Sequence, residues 1–251
     1  MSDNLSIITR LSELADRSYN NNQYTFSNFL SQGEISEYYT MERKLQFAGP
    51  KLYGGTDIAE RKVVRFGNPE SLGYEEEFPI VSLLITPVMA KFSDTLTHRD
   101  FLGSLMNLGI KRELVGDIFV KNNEACVFCL ESIADYITDN LSNVKHTTVK
   151  VTKSEDVSFI TTPTLEEKII QVVSERADAV VSKTFNMSRG DSLDLFRQEL
   201  IFINGRICTD NAKILKSGDT ISVRGYGKFS LAEIMNVNKK GKLNVKVMIY
   251  K

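Results

Sequence analysis

Between residues 80 and 152 the chain alternates extended and helical patterns in an order that restricts its possible folds more than any other feature. "PIVSLLITPVMAKF" opens the segment as a β-branched strand, and residues 94–108 follow with helical spacing through Phe101, Leu105 and Leu108. "LVGDIFV" and "ACVFCL" flank Lys121-Asn122-Asn123-Glu124, a hairpin turn by composition. "ESIADYITDNL" is a second amphipathic helix and "HTTVKVT" a last strand, so the order is βαββαβ.

That order is the split unit of ferredoxin-like and RNA-recognition-motif folds. Upstream, residues 4–47 read as short helices: Leu5, Ile8, Leu11 and Ala15 recur at helical spacing, and Phe26, Phe29 and Leu30 continue the apolar face after an Asn-rich break. A further helix is expected from about Glu34 to Phe47, ended by Gly49-Pro50. Asp57 and Glu60 have the spacing of a helix cap, and Val63 to Phe66 reads as a strand. Downstream, the polar stretch from Ser154 to Thr164 reads as a linker. "EKIIQVV" is mostly β-branched, which favours a strand over a helix. Ser174 is a candidate cap for a helix through Phe185, and Ser188 with Asp191 forms a capping-box pattern for another. Short strands follow, with turns at Asn204-Gly205 and Ser217-Gly218-Asp219, and a terminal hairpin is expected around Lys239-Lys240-Gly241. The expected class is α+β: a mixed N-terminal region (1–75), a βαββαβ domain (76–153), a linker and connecting strand (154–173) and a C-terminal α/β module (174–251).

A chain of 251 residues, 42% of them hydrophobic, can bury a sizeable core. No apolar run approaches the roughly 18 residues of a membrane span, and "MSDNLSIITR" lacks the basic start and apolar stretch of a signal peptide. Three cysteines are an odd number for a disulfide scaffold. These features predict a cytoplasmic protein, in which the Asn186-Met187-Ser188 sequon and the Arg189-Gly190-Asp191 triplet are accidental. The net charge of −1 hides an asymmetry: residues 176–251 hold 14 Lys/Arg against 7 Asp/Glu, a net of +7, which leaves −8 upstream. A basic module on an acidic carrier favours a polyanionic partner.

Enzyme signatures do not complete themselves. Cys126-x-x-Cys129 lies inside an apolar strand pattern with no second pair, which favours buried structural cysteines over a metal site. His98-Arg99-Asp100 copies the opening of a kinase catalytic loop, but Leu105 stands where that loop needs Asn. Gly225-x-Gly227 is part of a dinucleotide fingerprint with Ser230 in place of its third Gly. No catalytic residue, metal or cofactor is assigned, although carboxylate acid/base work leaves no readable pattern in sequence.

The basic module carries its own candidates. Ser188 would cap a helix whose first turn holds Arg189 and whose later part holds Arg197, so the helix N-terminus and a guanidinium can face one phosphate. Arg176, Lys183, Arg206, Lys213, Arg224 and Lys228 would add further phosphate contacts, with Lys239, Lys240 and Lys242 extending the basic surface. Ser188 and Asn204-Gly205 would set the backbone geometry. In the middle domain Arg99, Lys111 and Arg112 are either a second RNA or protein contact or a solvated face; "ACVFCLE" offers only Phe128 and no basic-Gly-aromatic start, which favours a scaffold or protein-docking role over base stacking.

Arg176-Ala177-Asp178, Ser188-Arg189, "IFING" at 201–205 and "LKSGDTISVRG" at 215–225 resemble the S4-type RNA-binding domain. Two positions depart from it: Ala177 replaces a customary Leu, and Glu199 stands where the family usually has Gly. "GGTDIAERK" at 54–62, "LTHRDFLGSLMNLGIKRELVGDI" at 96–118, and "SVRGYGKF" running into "NKKGKLNV" resemble the bacterial YlmH family. The resemblance implies an RNA-recognition-motif-like middle domain before an S4-type domain. It also implies a non-catalytic, monomeric protein that binds ribosomal RNA and tRNA at the large ribosomal subunit, in ribosome-associated quality control. Two rivals remain: an RNA-modifying enzyme of the pseudouridine synthase or methyltransferase type, and an adaptor that recruits a protein while its RNA contact is incidental.

Overall fold

Two separate sets of apolar residues divide the chain into two units, residues 1–162 and 163–251, each with its own core. The computed structural model describes residues 6–89, 93–238 and 241–250. All its named strand pairings are antiparallel.

The first unit opens with α1 (Ile7–Asn21), whose Ile7, Leu11 and Ala15 repeat every four residues and are buried. Where helix was expected, Phe26 lies in β1 (Thr25–Phe26), paired with a later strand, and the chain then enters α2 (Gln32–Leu45) at a Ser31–Glu34 capping box. β2 (Lys51–Tyr53) and β3 (Val63–Phe66) complete a three-stranded sheet of order β1-β3-β2, against which both helices pack. Between these strands the expected helix start at Asp57 does not form; residues 56–58 make a turn and the loop stays irregular. The reason is tertiary: the Glu60 and Arg61 amides donate to Asp117 Oδ2 at 2.5 and 3.4 Å, so they are committed outside any local helix. A short α3 (Pro69–Leu72) then leads into the middle sheet.

That sheet contains β4 (Ile80–Pro87), β5 (Val115–Lys121), β6 (Glu124–Leu130), β7 (Asn143–Val144) and β8 (Thr147–Lys153) in the order β5-β6-β4-β8-β7. Asn122 and Asn123 turn the β5–β6 hairpin with φ of +53° and +64°, the left-handed pair that a two-residue hairpin loop requires. α4 (His98–Asn107) and α5 (Glu131–Asn140) cover one face, with Phe101, Leu105, Ala134 and Ile137 packed on Leu83, Ile85, Val127 and Cys129. The other face is also covered. Phe29 and Val63 from the N-terminal region, with Val157 at the start of α6 (Ser158–Thr161) and Ile160 within it, close over Cys126, Phe128 and Leu130. Alternation along β6 therefore sends Cys126 and Cys129 to opposite faces, where burial pushes both thiols up to about 12.

The second unit starts at β9 (Leu165–Val172), so the segment read as linker and connecting strand divides between the units. α7 (Ala177–Thr184) begins with Arg176 in the cap position and not with Ser174. α8 (Arg189–Arg197) starts at the expected Ser188–Asp191 capping box. β10 (Ile201–Ile203), β11 (Arg206–Ile207), β12 (Thr220–Val223), β13 (Gly227–Val237) and β14 (Leu243–Tyr250) join β9 in one sheet of order β11-β10-β12-β13-β14-β9. Val180, Val181, Leu195 and Phe196 from the two helices bury Ile201, Ile203, Ile221, Phe229, Val245 and Val247 on one sheet face.

Candidate nucleic-acid interface

The side chains that start α7 and α8 meet on one acidic group. Asp178, in the first turn of α7, is fully buried, yet it accepts from Arg176 Nε and Nη2 at 3.1 and 3.0 Å and from Arg189 Nη2 at 3.0 Å. Asn211 Nδ2 adds a contact at 3.3 Å. Burial alone would raise this carboxyl, but the hydrogen bonds from Arg176, Arg189 and Asn211 hold it at about 2, so it is ionised. The loop after β11 is bound to the same corner: the Ala177 amide donates to Lys213 O and the Asp178 amide to Asn211 O. Arg176, Ser188 and Arg189 thus gather around the N-termini of two helices, with the Lys213 backbone beside them. The Arg189 side chain remains 67% exposed.

The remaining candidates are distributed elsewhere. Lys183 is exposed in the last turn of α7, roughly 10 Å along the helix from Arg176. Arg197, at the end of α8, pairs with Asp194 at 2.9 Å. Asn204 and Gly205 make the β10–β11 turn with φ of +53° and +76°, and the Asn204 amide bridges Asp219 and the Thr220 N–H. Arg206 follows them, exposed. Arg224 and Lys228 lie on the sheet face turned away from the helices, where Phe202, Ser222, Lys228 and Tyr250 pair in register across four strands. The Arg224 guanidinium lies 5.5 Å from the Phe202 ring centroid, and the Lys228 ammonium 5.2 Å from that of Tyr250. Lys242 is exposed at the start of β14, whereas Lys239 and Lys240 lie outside the described residues.

The middle-domain candidates separate clearly. Arg99 and Lys111 are exposed. Arg112 is turned inward, donating to the carbonyls of Val115 and Gly116, and burial followed by the nearby Arg61 lowers its pKa to about 10. Its guanidinium is therefore spent on the start of β5 and not presented to a phosphate. Phe128 is 3% exposed, behind Gly55, where even a Cβ would lie 2.2 Å from its ring, so it has no open face on which to stack a base.

Sequence reasoning missed Asp178 as the hub of the arginines. The available signal was an acid two residues after Arg176 in a helix's first turn, a position favoured by the helix dipole alone. Nothing local announces that Arg189 and Asn211 converge there.

Fold and site together define a two-unit α+β protein whose second unit carries arginines at the N-termini of paired helices. A family model described as "Putative RNA-binding domain in YlmH" matches residues 74–157. The chain is 32% identical over 200 residues to the Ribosome-associated protein quality control protein P2 of Bacillus subtilis (strain 168), covering 78% of this chain and 76% of that protein. It belongs to the YlmH family. A solved structure, Cell division protein ylmH from Streptococcus pneumoniae, is similar over 61% of this chain and 95% of its own at 19% identity, with a TM-score of 0.46 that is too low to define the fold further.

Proposed function

We propose that this chain is a non-catalytic, monomeric RNA-binding protein of the cytoplasm that acts on the ribosome, contacting large-subunit ribosomal RNA and tRNA in ribosome-associated quality control. The observation that carries the reading is the Arg176–Asp178–Arg189 cluster. Two guanidiniums from separate helices are oriented by one ionised carboxylate, and Arg189 still turns most of its side chain to solvent. Such a pre-oriented cation at a helix N-terminus suits a phosphate oxygen, because the geometry is established before the ligand arrives. The second unit is read as S4-type, with its helix pair as the RNA face. The middle domain is read as RNA-recognition-motif-like from its βαββαβ order, and as a scaffold because its second sheet face is filled. The name of the Bacillus relative supports placing the activity on the ribosome.

Co-sedimentation with separated small subunits, large subunits and intact ribosomes across a salt series tests the reading. Pelleting with large subunits that weakens steeply with salt is expected. Arg189→Gln, which keeps a donor for Asp178, should weaken pelleting and lower the slope of log affinity against log salt by about one. Absence of pelleting with every ribosomal particle would sink the proposal.

A further inference from the structure

The Gly225-x-Gly227 pair, too incomplete to be a dinucleotide fingerprint, has a different use in the fold. It brackets Tyr226 at the β12–β13 turn, where Val223 pairs with Gly227 and the Tyr226 amide donates to Val223 O at 3.0 Å. Gly225 has φ of +86° and Gly227 of +126°, and open space surrounds a Cβ at Gly225. The glycines are thus needed for the backbone path, and that path makes the intervening residue project.

The projecting ring is 52% exposed. It leans on Phe185, with centroids 5.9 Å apart and planes at 53°, and Phe185 is itself held edge-on by the buried Phe229 at 5.7 Å. The ring is supported by Phe185, which Phe229 supports in turn, and about half of it still faces solvent. Its hydroxyl has no hydrogen-bond partner among the described residues, so folding explains neither the ring's exposure nor its polar tip. The nearest chain neighbours are glycines, and the cations beyond them, Arg224 and Lys228, turn to the other sheet face over Phe202 and Tyr250. An apolar protein partner would want continuous apolar surface, which this turn does not offer. A flat base matches a single exposed ring on a module in which basic residues outnumber acidic ones.

We infer that Tyr226 is a base-stacking site that takes one unpaired nucleobase of the bound RNA on its open face. The inference rests on the RNA-binding reading above and adds a base contact to a surface otherwise made of phosphate contacts.

The test uses the full chain and two RNA duplexes of the same sequence, one fully paired and one with a single bulged fluorescent adenine analogue. The chain has no Trp to confuse the emission. Wild type should bind the bulged duplex more tightly and quench the analogue. Tyr226→Ala should lose roughly tenfold in affinity for the bulged duplex together with the quenching, leaving the paired duplex and the salt slope unchanged. Tyr226→Phe, which keeps the ring, should behave as wild type. Equal loss on both duplexes, or full quenching by Tyr226→Ala while Arg189→Gln still weakens binding, would overturn the stacking site and spare the RNA reading. Wild-type binding to neither duplex would overturn both.

Discussion

Glu199 has a φ of +58°, a conformation that costs an ordinary residue about 1 kcal/mol and glycine almost nothing. It follows the C-terminus of α8, where its amide donates to Phe196 O and the next amide, of Leu200, returns to Leu195 O. This is a left-handed helix stop. The position that sequence marks only by an acid is therefore a strained backbone position. Glu199→Gly should raise stability by up to about 1 kcal/mol, the relief of strain being partly offset by the greater freedom of glycine in the unfolded chain. Denaturant melts of the two proteins measure it, and a loss of stability would show that the Glu199 side chain contributes contacts that outweigh the strain. Arg112 teaches the complementary lesson. A basic residue in a specific motif looked available for phosphate, but its donors are used by carbonyls three and four residues further on.

At the scale of elements, Asp178 joins α7, α8 and the loop after β11, three segments separated by up to 33 residues. Because its folded pKa is held near 2, below that of an unfolded aspartate near 3.9, its stabilisation is fully present above pH 4 and is lost as pH falls through 2. Asp178→Asn should cost about 2 kcal/mol near neutral pH, in keeping with lost hydrogen bonds to charged groups. The difference from wild type should shrink between pH 4 and pH 2. Paired melts across that window check the sign; a difference that grows on acidification would mean the carboxylate is not the ionised partner of these arginines. The capping box at Ser188 was legible in sequence because both partners lie within one turn. The Asp178 cluster was not, because its donors are brought in by tertiary packing.

For the whole molecule, the middle sheet has both faces covered, and this changes what its only candidate stacking aromatic does. Phe128 packs with Phe29 and Val63 from the N-terminal region and with Val157 and Ile160 after β8. Gly55 and Gly116 allow that approach, since a Cβ at either would lie under 3 Å from a phenylalanine ring. Phe128→Ala should therefore destabilise the first unit by about 3–5 kcal/mol while leaving RNA affinity intact wherever the protein stays folded. Unfolding curves paired with binding assays separate these effects, and a stable variant with weakened binding would restore a stacking role. By itself, the sequence determined the βαββαβ order, the Ser188 capping box, the hairpin at Asn122-Asn123 and the concentration of basic residues after residue 175, since periodicity, turn chemistry and charge are local properties; it did not determine β1, α6 or the start of α7. Only the tertiary structure decided which arginines share Asp178, that Arg112 faces inward, that Phe128 is buried and that Tyr226 stands open. Those outcomes depend on distant segments filling the space around each side chain, and no window of neighbouring residues contains that information.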